Sequence, residues 1–530
     1  MPVITLLIIL PLIGAILCLL VPNRASLLKS ITLSVSVLQV LLTIWLISYY
    51  DVRISTLQFV EHTHWFSLPL GKWGLLQANY FVGLDGLSLP LVALSVIVML
   101  VATFSSGEIQ QKHKGYYSLL LLLNAAVIGT FAAQDFLLFY LFFEFMLLPM
   151  YFLIAIWGGK RREYASIKFF LYTLFGSLLI LVVIIGLYLS YGKGANPLVY
   201  SFSFDMAAMP TLMQENALLN PANTSGIAGL TLRSWAFLFL FIGFGIKLPM
   251  VPFHTWLPDA HVEAPTPISV ILAALLLKIG AYGLLRIAWP VFPQEAVQFS
   301  FWVALIGVTS IVYGAWCALA AKDLKKLIAY SSVSHMGFIL LGLASGQAEG
   351  ITGAIYQMVS HGLISAMLFL LAGVLYVRTH DRTINHYSGL HQPMPVYFSF
   401  VLLAFFASLG LPGLSGFIAE FFVLTGAFTG AWSDTIHILF PFIALLGMFL
   451  GAAYCLWTVQ RMFIGTFHTQ TPNGEELLTD LTLTEKATLI PLAIGILLLG
   501  IFPQLLLQFI NPFVEQWLPQ VFSLTLTTEI

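Results

Sequence analysis

The chain has 530 residues, of which 59% are hydrophobic and 8% charged, with a formal net charge of −1. Soluble globular domains carry about 25% charged residues, so water is not the main solvent of this chain. No basic tract offers a footprint for nucleic acid, and no long polar stretch is present to form a separate soluble domain.

In chain order, hydropathy with Gly/Pro and polar punctuation predicts an all-α polytopic membrane protein. Fourteen transmembrane helices are expected, centred near residues 12, 40, 95, 124, 146, 178, 246, 277, 310, 335, 364, 411, 449 and 498. The opening run "MPVITLLIILPLIGAILCLLVPNR" carries its first positive charge after its apolar part, the reverse of a cleaved signal, so it reads as an uncleaved first span. Loops are expected over residues 51–80, 193–233 and 466–486. Cys18, Cys317 and Cys455 lie far apart in apolar runs and read as core residues, not as ligands of a metal or cluster. No dinucleotide or P-loop glycine motif occurs, and the cluster "GLPGLSG" has neither spacing.

Lysine and arginine fall unevenly. Loops after odd-numbered helices hold Arg24, Lys29, Lys112, Lys114, Lys160, Arg161, Arg162, Lys168, Lys322, Lys325, Lys326, Arg378, Arg382, Arg461 and Lys486. The other side holds Arg53, Lys72, Lys193, Arg233 and Arg286. By the positive-inside rule both termini face the outer side. Of all the basic residues, only Lys247 and Lys278 are left away from the edges.

A charge near the bilayer centre costs at least about 2.5–3.5 kcal/mol, so it faces a bundle interior or a water cavity and marks an ion path. Six titratable residues on six helices share that depth: Glu144 on helix five, Lys247 on seven, Lys278 on eight, His335 on ten, His361 on eleven and Glu420 on twelve. They read as a row. Helix seven is expected to break at Pro249 and Pro252, and helix twelve at "LGLPGLSG", as helices do beside a transport path. Two such breaks suggest inverted five-helix repeats, helices 4–8 and 9–13. The expected divisions are residues 1–110 for three leading helices, 111–290 and 291–465 for the repeats, and 466–530 for a loop and helix fourteen.

A Glu144/Lys247 pair about 4 Å apart would attract by on the order of 4 kcal/mol at an effective dielectric of 20, so separating it would decide whether the lysine keeps its proton. Lys278, His335 and His361 would then relay protons sideways to Glu420. Ordinary alternatives stay open for each residue. Glu144 and Lys247 suit a static ion pair that fixes register, the histidines suit interhelical hydrogen bonds, and Lys278 suits snorkelling. His254, Asp259, His261 and Glu263, in the hairpin between helices seven and eight, suit either a capped interfacial turn or a proton uptake point.

The stretch "GFGIKLPMVPFHTWLPDAHVEAPTPISVILAALLLKIGAYGLLR", Gly243 to Arg286, resembles the antiporter-like membrane subunits of complex I, the proton-pumping NADH–quinone oxidoreductases. "FEFMLLPMYFLIAIWGGK", "AYSSVSHMGF", "YQMVSHGLISAMLFLLAG" and "LGLPGLSGFIAEF" extend the resemblance over residues 80–465. The end of the chain soon after helix fourteen resembles the chain-4 type, and "WGGKRREYASIKFFLYTLFGS" resembles its cyanobacterial and plastid form. The resemblance implies a non-redox, proton-translocating subunit of an NAD(P)H- or ferredoxin-dependent (plasto)quinone reductase. It implies neighbouring antiporter-like subunits as partners in the bilayer, a thylakoid or bacterial inner membrane, and no cofactor on this chain, with iron–sulfur clusters and quinone held elsewhere. It carries the relay roles onto Glu144, Lys247, Lys278, His335, His361 and Glu420. The competing functions are a subunit of a multisubunit cation/proton antiporter, and a spacer whose buried charges only position its neighbours.

Overall fold

The computed structural model describes residues 2–69, 75–191, 219, 225–430, 435–470 and 477–526. Lys72, Lys193 and most of the loop expected over 193–233 lie outside the described residues.

Twelve helices among them are long and apolar enough to cross a membrane. They are α1 (Val3–Leu20), α2 (Ala25–Tyr49), α3 (Ser88–Glu108), α4 (His113–Ala132), α5 (Phe136–Trp157) and α6 (Arg162–Tyr191), then α8 (Thr266–Val291), α9 (Ser300–Leu319), α10 (Leu324–Ala344), α11 (Ala348–Thr379), α13 (Leu439–Phe463) and α14 (Leu483–Ile501). The two remaining expected spans are the broken ones. The seventh, α7, runs over Leu232–Lys247 and resumes at Trp256–Glu263, and the twelfth, α12, runs over Pro395–Ser408 and resumes at Ser415–Thr429.

Prolines account for the interruptions. Pro249 has no N–H for the Gly245 carbonyl, which accepts from the Met250 N–H at 3.0 Å instead, and the Ile246 carbonyl so freed accepts from the Trp256 indole at 2.9 Å. In α12 the chain turns through Gly410 at φ +77°, where a Cβ would stand 2.5 Å from a Glu420 oxygen. A milder disturbance lies in α5. Pro149 cannot donate to the Phe145 carbonyl four residues before it, and the helix loosens at Met146.

The core is not spread evenly. Every residue of the apolar window of α8 is buried, and 94% of those of α10 and α11, against 33% for α2, α13 and α14. The first three therefore offer positions along their whole length where a charge sits away from lipid. Gly280 lets α8 lie directly on the end of the first half of α7, since a Cβ there would meet the Phe244 carbonyl at 2.5 Å.

Three features depart from expectation. The region taken as a loop over 51–80 holds an antiparallel hairpin, β1 (Gln58–Pro69) with β2 (Leu75–Leu84), so the chain is mostly but not wholly helical. Beyond α14 a further helix, α15 (Gln504–Leu526), folds back, and its Trp517 indole donates to the Leu285 carbonyl at 3.0 Å. The stretch His254–Glu263 is no hairpin: most of it is the second half of α7, and the turn into α8 is only Ala264–Pro265.

Two bases expected at an edge lie near helix ends but are buried in ion pairs there. Arg233 is buried against Glu295 at 2.8 Å, and Arg286 grips Asp85 with two contacts of 2.7 Å. Burial alone would push the Asp85 carboxyl up, but the Arg286 guanidinium and the Ser88 donors outweigh it and hold the group below the usual carboxylate range. The pair's contribution is accordingly present above the ordinary carboxylate range and lost in acid. Arg286→Ala strands the buried Asp85 charge and is expected to destabilise by about 3–5 kcal/mol, whereas Arg286→Leu with Asp85→Leu recovers most of it. The yield of folded, membrane-extracted protein against temperature checks both.

Candidate functional site

The six residues expected at mid-depth occupy different surroundings. Lys247 is the last residue of the first half of α7 and is 3% exposed. A basic residue in the last turn of a half-helix stands at the favourable end for a cation. Its Nζ donates to the Phe143 carbonyl at 3.4 Å and lies 3.8 Å from the centre of the Phe143 ring. The direct Glu144–Lys247 contact anticipated from the sequence does not form: no ion pair within 4 Å joins them, although Glu144 is near enough for its charge to act on Lys247. Glu144 is instead half-exposed, in a stripe with the exposed Leu141, Phe145 and Leu148. Hydropathy gives its depth correctly but not which side of α5 it faces.

The other four form a continuous file. Lys278 is fully buried on α8, where it follows a wider, π-type turn over Leu272–Leu276. Its Nζ donates to the Ala273 carbonyl at 2.7 Å and to Nδ1 of His361 at 2.7 Å. The His361 ring lies 5.2 Å from that of His335, centre to centre. His335 Nε2 then stands 3.6 Å from Oε1 of Glu420. The order along the file is Lys278, His361, His335, Glu420, so His361 precedes His335, contrary to the order in sequence. Among the described residues no hydrogen bond joins Lys247 to Lys278.

His335 is held by main-chain oxygens on both sides. Nδ1 is 2.8 Å from the Ser331 carbonyl and Nε2 is 3.0 Å from that of Ser408, the final residue of the first half of α12. Carbonyls only accept, so both contacts are hydrogen bonds only when the ring carries two protons. The ring thus has a carbonyl waiting at each nitrogen for a proton, and its Nε2 side also faces the Glu420 carboxyl. The half-helix end supplies a carbonyl that an unbroken α12 would use internally.

The second half of α7 divides its roles. Asp259 pairs with Lys168 at 2.7 Å, and Glu263 accepts from the Arg161 backbone at 2.8 Å, so these two acids tie α7 to α6. His261 is fully buried and stacked on Phe369 at 4.4 Å, with no hydrogen bond at either ring nitrogen. His254 is also buried, beside Tyr313.

Sequence reasoning missed Lys325. Placed in a loop by hydropathy, it is 1% exposed in the first turn of α10 and donates to the Ala264 carbonyl at 2.8 Å and to Ser269 at 3.2 Å. A signal was present, because Lys325, Ile328, Ser332 and His335 recur at helical spacing on one stripe.

A family model described as NADH:quinone oxidoreductase/Mrp antiporter, transmembrane, matches residues 133–440. The chain is 40% identical over 485 residues to NADH-quinone oxidoreductase subunit M of Rhodobacter capsulatus, covering 91% of this chain and 89% of that one. It is 38% identical to NAD(P)H-quinone oxidoreductase chain 4 2 of Thermosynechococcus vestitus, over 96% of this chain and 90% of that one. A chain of respiratory complex I from Thermus thermophilus superposes with a TM-score of 0.81 at 30% identity, covering 98% of this chain and 100% of that one.

In protein with nitrogen-labelled histidine, solid-state NMR is expected to find a ring N–H hydrogen-bonded to a main-chain carbonyl that disappears in His335→Gln and persists in His254→Gln. Its absence from the unsubstituted protein would contradict the two-carbonyl reading.

Proposed function

Because the chain belongs to the NADH:quinone oxidoreductase/Mrp antiporter transmembrane family, we propose that it is a proton-translocating membrane subunit of a quinone-reducing complex. The observation that carries this reading is the file Lys278–His361–His335–Glu420, four titratable side chains in succession across buried helices. A static pair needs two charges, whereas a relay needs a sequence of groups that each take and give a proton. This chain's residues supply the latter.

In the proposed cycle a charge change at Glu144 alters the field at Lys247, and through it the proton affinity of Lys278. Lys278 gives its proton to Nδ1 of His361, His361 passes it to His335, and the His335 imidazolium delivers it to Glu420. Glu420 sits against the break in α12 and releases toward the outer side. Electron transfer belongs to other subunits, as do the iron–sulfur clusters and the quinone. The proposed domain divisions, 111–290 and 291–465 as repeats, are supported by each block of five having its break in the fourth helix.

Partners follow from Glu144. A half-exposed carboxylate amid exposed apolar side chains at mid-span is too costly against lipid, so the α5 face is proposed to be covered by a neighbouring membrane subunit that offers it a polar or cationic group. A spacer would use such a face too, but would have no use for the buried file.

Of the two finer readings, a respiratory subunit in a bacterial inner membrane is favoured. The cyanobacterial or plastid form, with plastoquinone, a ferredoxin donor and a thylakoid location, rests on the Trp157–Ser177 stretch and on cyanobacterial relatives no more similar than the respiratory ones. Electron-donor preference of the native membranes separates them.

The test is proton pumping by native membranes bearing Glu144→Gln or Lys278→Ala, with assembly checked on native gels. Assembled complex with pumping lowered roughly a hundredfold is expected for a lost proton carrier. Pumping at the unsubstituted level would sink the relay, and pumping that depends on sodium would favour the antiporter reading.

A further inference from the structure

A cleft of about 610 Å³ opens at the end of the molecule where Lys160, Asp323 and Arg382 lie. It is lined by the end of α3, the turn before α6, the turn between α7 and α8, the start of α10, and the end of α11 with the segment after it, which brings His380, Asp381 and Arg382. This is the lysine- and arginine-rich end, the inner side by the positive-inside rule.

Two opposite charges at its floor take no part in the file. Glu108, the last residue of α3, accepts from the Thr266 backbone at 2.7 Å and from the Thr266 hydroxyl at 3.3 Å, capping the start of α8. Lys325, almost wholly buried, also lines the cleft, and the two are close enough for their charges to interact. Arg382, Asp323 and Glu263 are the other charges acting on Lys325.

Beyond Lys325 the next titratable group inward is His261, within electrostatic reach of both Lys325 and Lys278. Ser269 links the two locally: its hydroxyl receives from Lys325 and lies 3.1 Å from the His261 carbonyl. The fully buried imidazole has no hydrogen bond at either nitrogen. Both ring nitrogens are therefore open to a passing proton, which the ring would hold only in transit between the two lysines.

We propose that Glu108 and Lys325 form the proton-loading site of this subunit, passing protons by way of His261 to Lys278. The inference rests on the relay reading above. A proton from the inner side converts the Glu108 carboxylate to the acid, which removes its hold on the Lys325 ammonium. Lys325 gives a proton to His261, making an imidazolium and a neutral amine. Glu108 then reprotonates the amine, restoring carboxylate and ammonium, with one proton moved inward to His261. The pair acts as a charge-neutral doorway, so a cation waits at the cleft floor without leaving an uncompensated charge there.

The experiment uses the whole complex in membrane vesicles whose inner face is turned to the medium, so that inner pH is set directly. Glu108→Gln, which keeps an acceptor for Thr266, is expected to lower pumping roughly tenfold at neutral pH with assembly intact, and acidifying the medium is expected to restore much of it, because the loss is one of proton supply. Glu108→Asp, a carboxyl on a shorter arm, is expected to pump more slowly at neutral pH and to approach the unsubstituted rate in acid. A loss of equal size at every pH, or no loss, overturns the proposal, since a structural cap does not depend on proton concentration. If Glu108→Gln fails to assemble, the pH profile of Glu108→Asp decides in its place: a rate deficit relieved by acid supports loading, and a profile identical to the unsubstituted complex overturns it. Lys278→Ala run alongside separates the two levels. If it abolishes pumping while Glu108→Gln leaves it unchanged, only the loading site is wrong, and if Lys278→Ala pumps normally the relay reading itself fails.

Discussion

An ionised group moved from water into hydrocarbon loses several kcal/mol of solvation, and the arrangement of helices here follows from where that loss is made good. Lys247 is placed at the carbonyl end of a half-helix, and His335 between two main-chain carbonyls. For His335 the broken helix α12 is the solvent, and for Lys247 it is the Phe143 carbonyl and ring of α5. α7 stops at Lys247, and α12 stops at Ser408, whose carbonyl His335 uses. An unbroken α12 would have kept the Ser408 carbonyl for itself and left His335 without that partner.

The two five-helix blocks use this device with the charges exchanged. In the first, the second helix carries the acid Glu144 and the fourth carries the base Lys247; in the second, the second helix carries the base His335 and the fourth carries the acid Glu420. Lys278 and His361 lie on α8 and α11, among the most buried helices, and their 2.7 Å contact is where the file crosses between the blocks. The packing of α8 against α7 at Gly280 brings the helix bearing Lys278 against the end that carries Lys247, so a structural close approach and an electrostatic coupling coincide.

Much of this was legible in the sequence because hydropathy measures distance along a helix well. The spans, both breaks and all six mid-depth residues came from it, Pro249 and Pro252 being unambiguous signals. What one-dimensional depth lacks is the angle around the helix. That is why Glu144 was expected against Lys247 and is half turned outward, and why His335 and His361 stood in sequence order although the file takes them in reverse. Lys325 was lost for a related reason: charged residues at a helix start look like loop, and only its stripe with Ser332 and His335 marks it as interior. The hairpin and α15 were missed because segments at the membrane edge have neither long apolar runs nor strict alternation, and their partners, such as Leu285 for Trp517, are distant in the chain. The wider turns of α8 leave no pattern in its apolar sequence.

The central claim is that the file works as one conductor. It is tested most directly by cutting it in the middle while leaving the charges at both ends, with His361→Phe in the purified complex reconstituted into vesicles, and measuring protons moved per electron passed to quinone. The account predicts a lower ratio with electron transfer continuing. An unchanged ratio would contradict it, because protons would then be crossing by a route that does not pass through the Lys278–His361–His335 contacts.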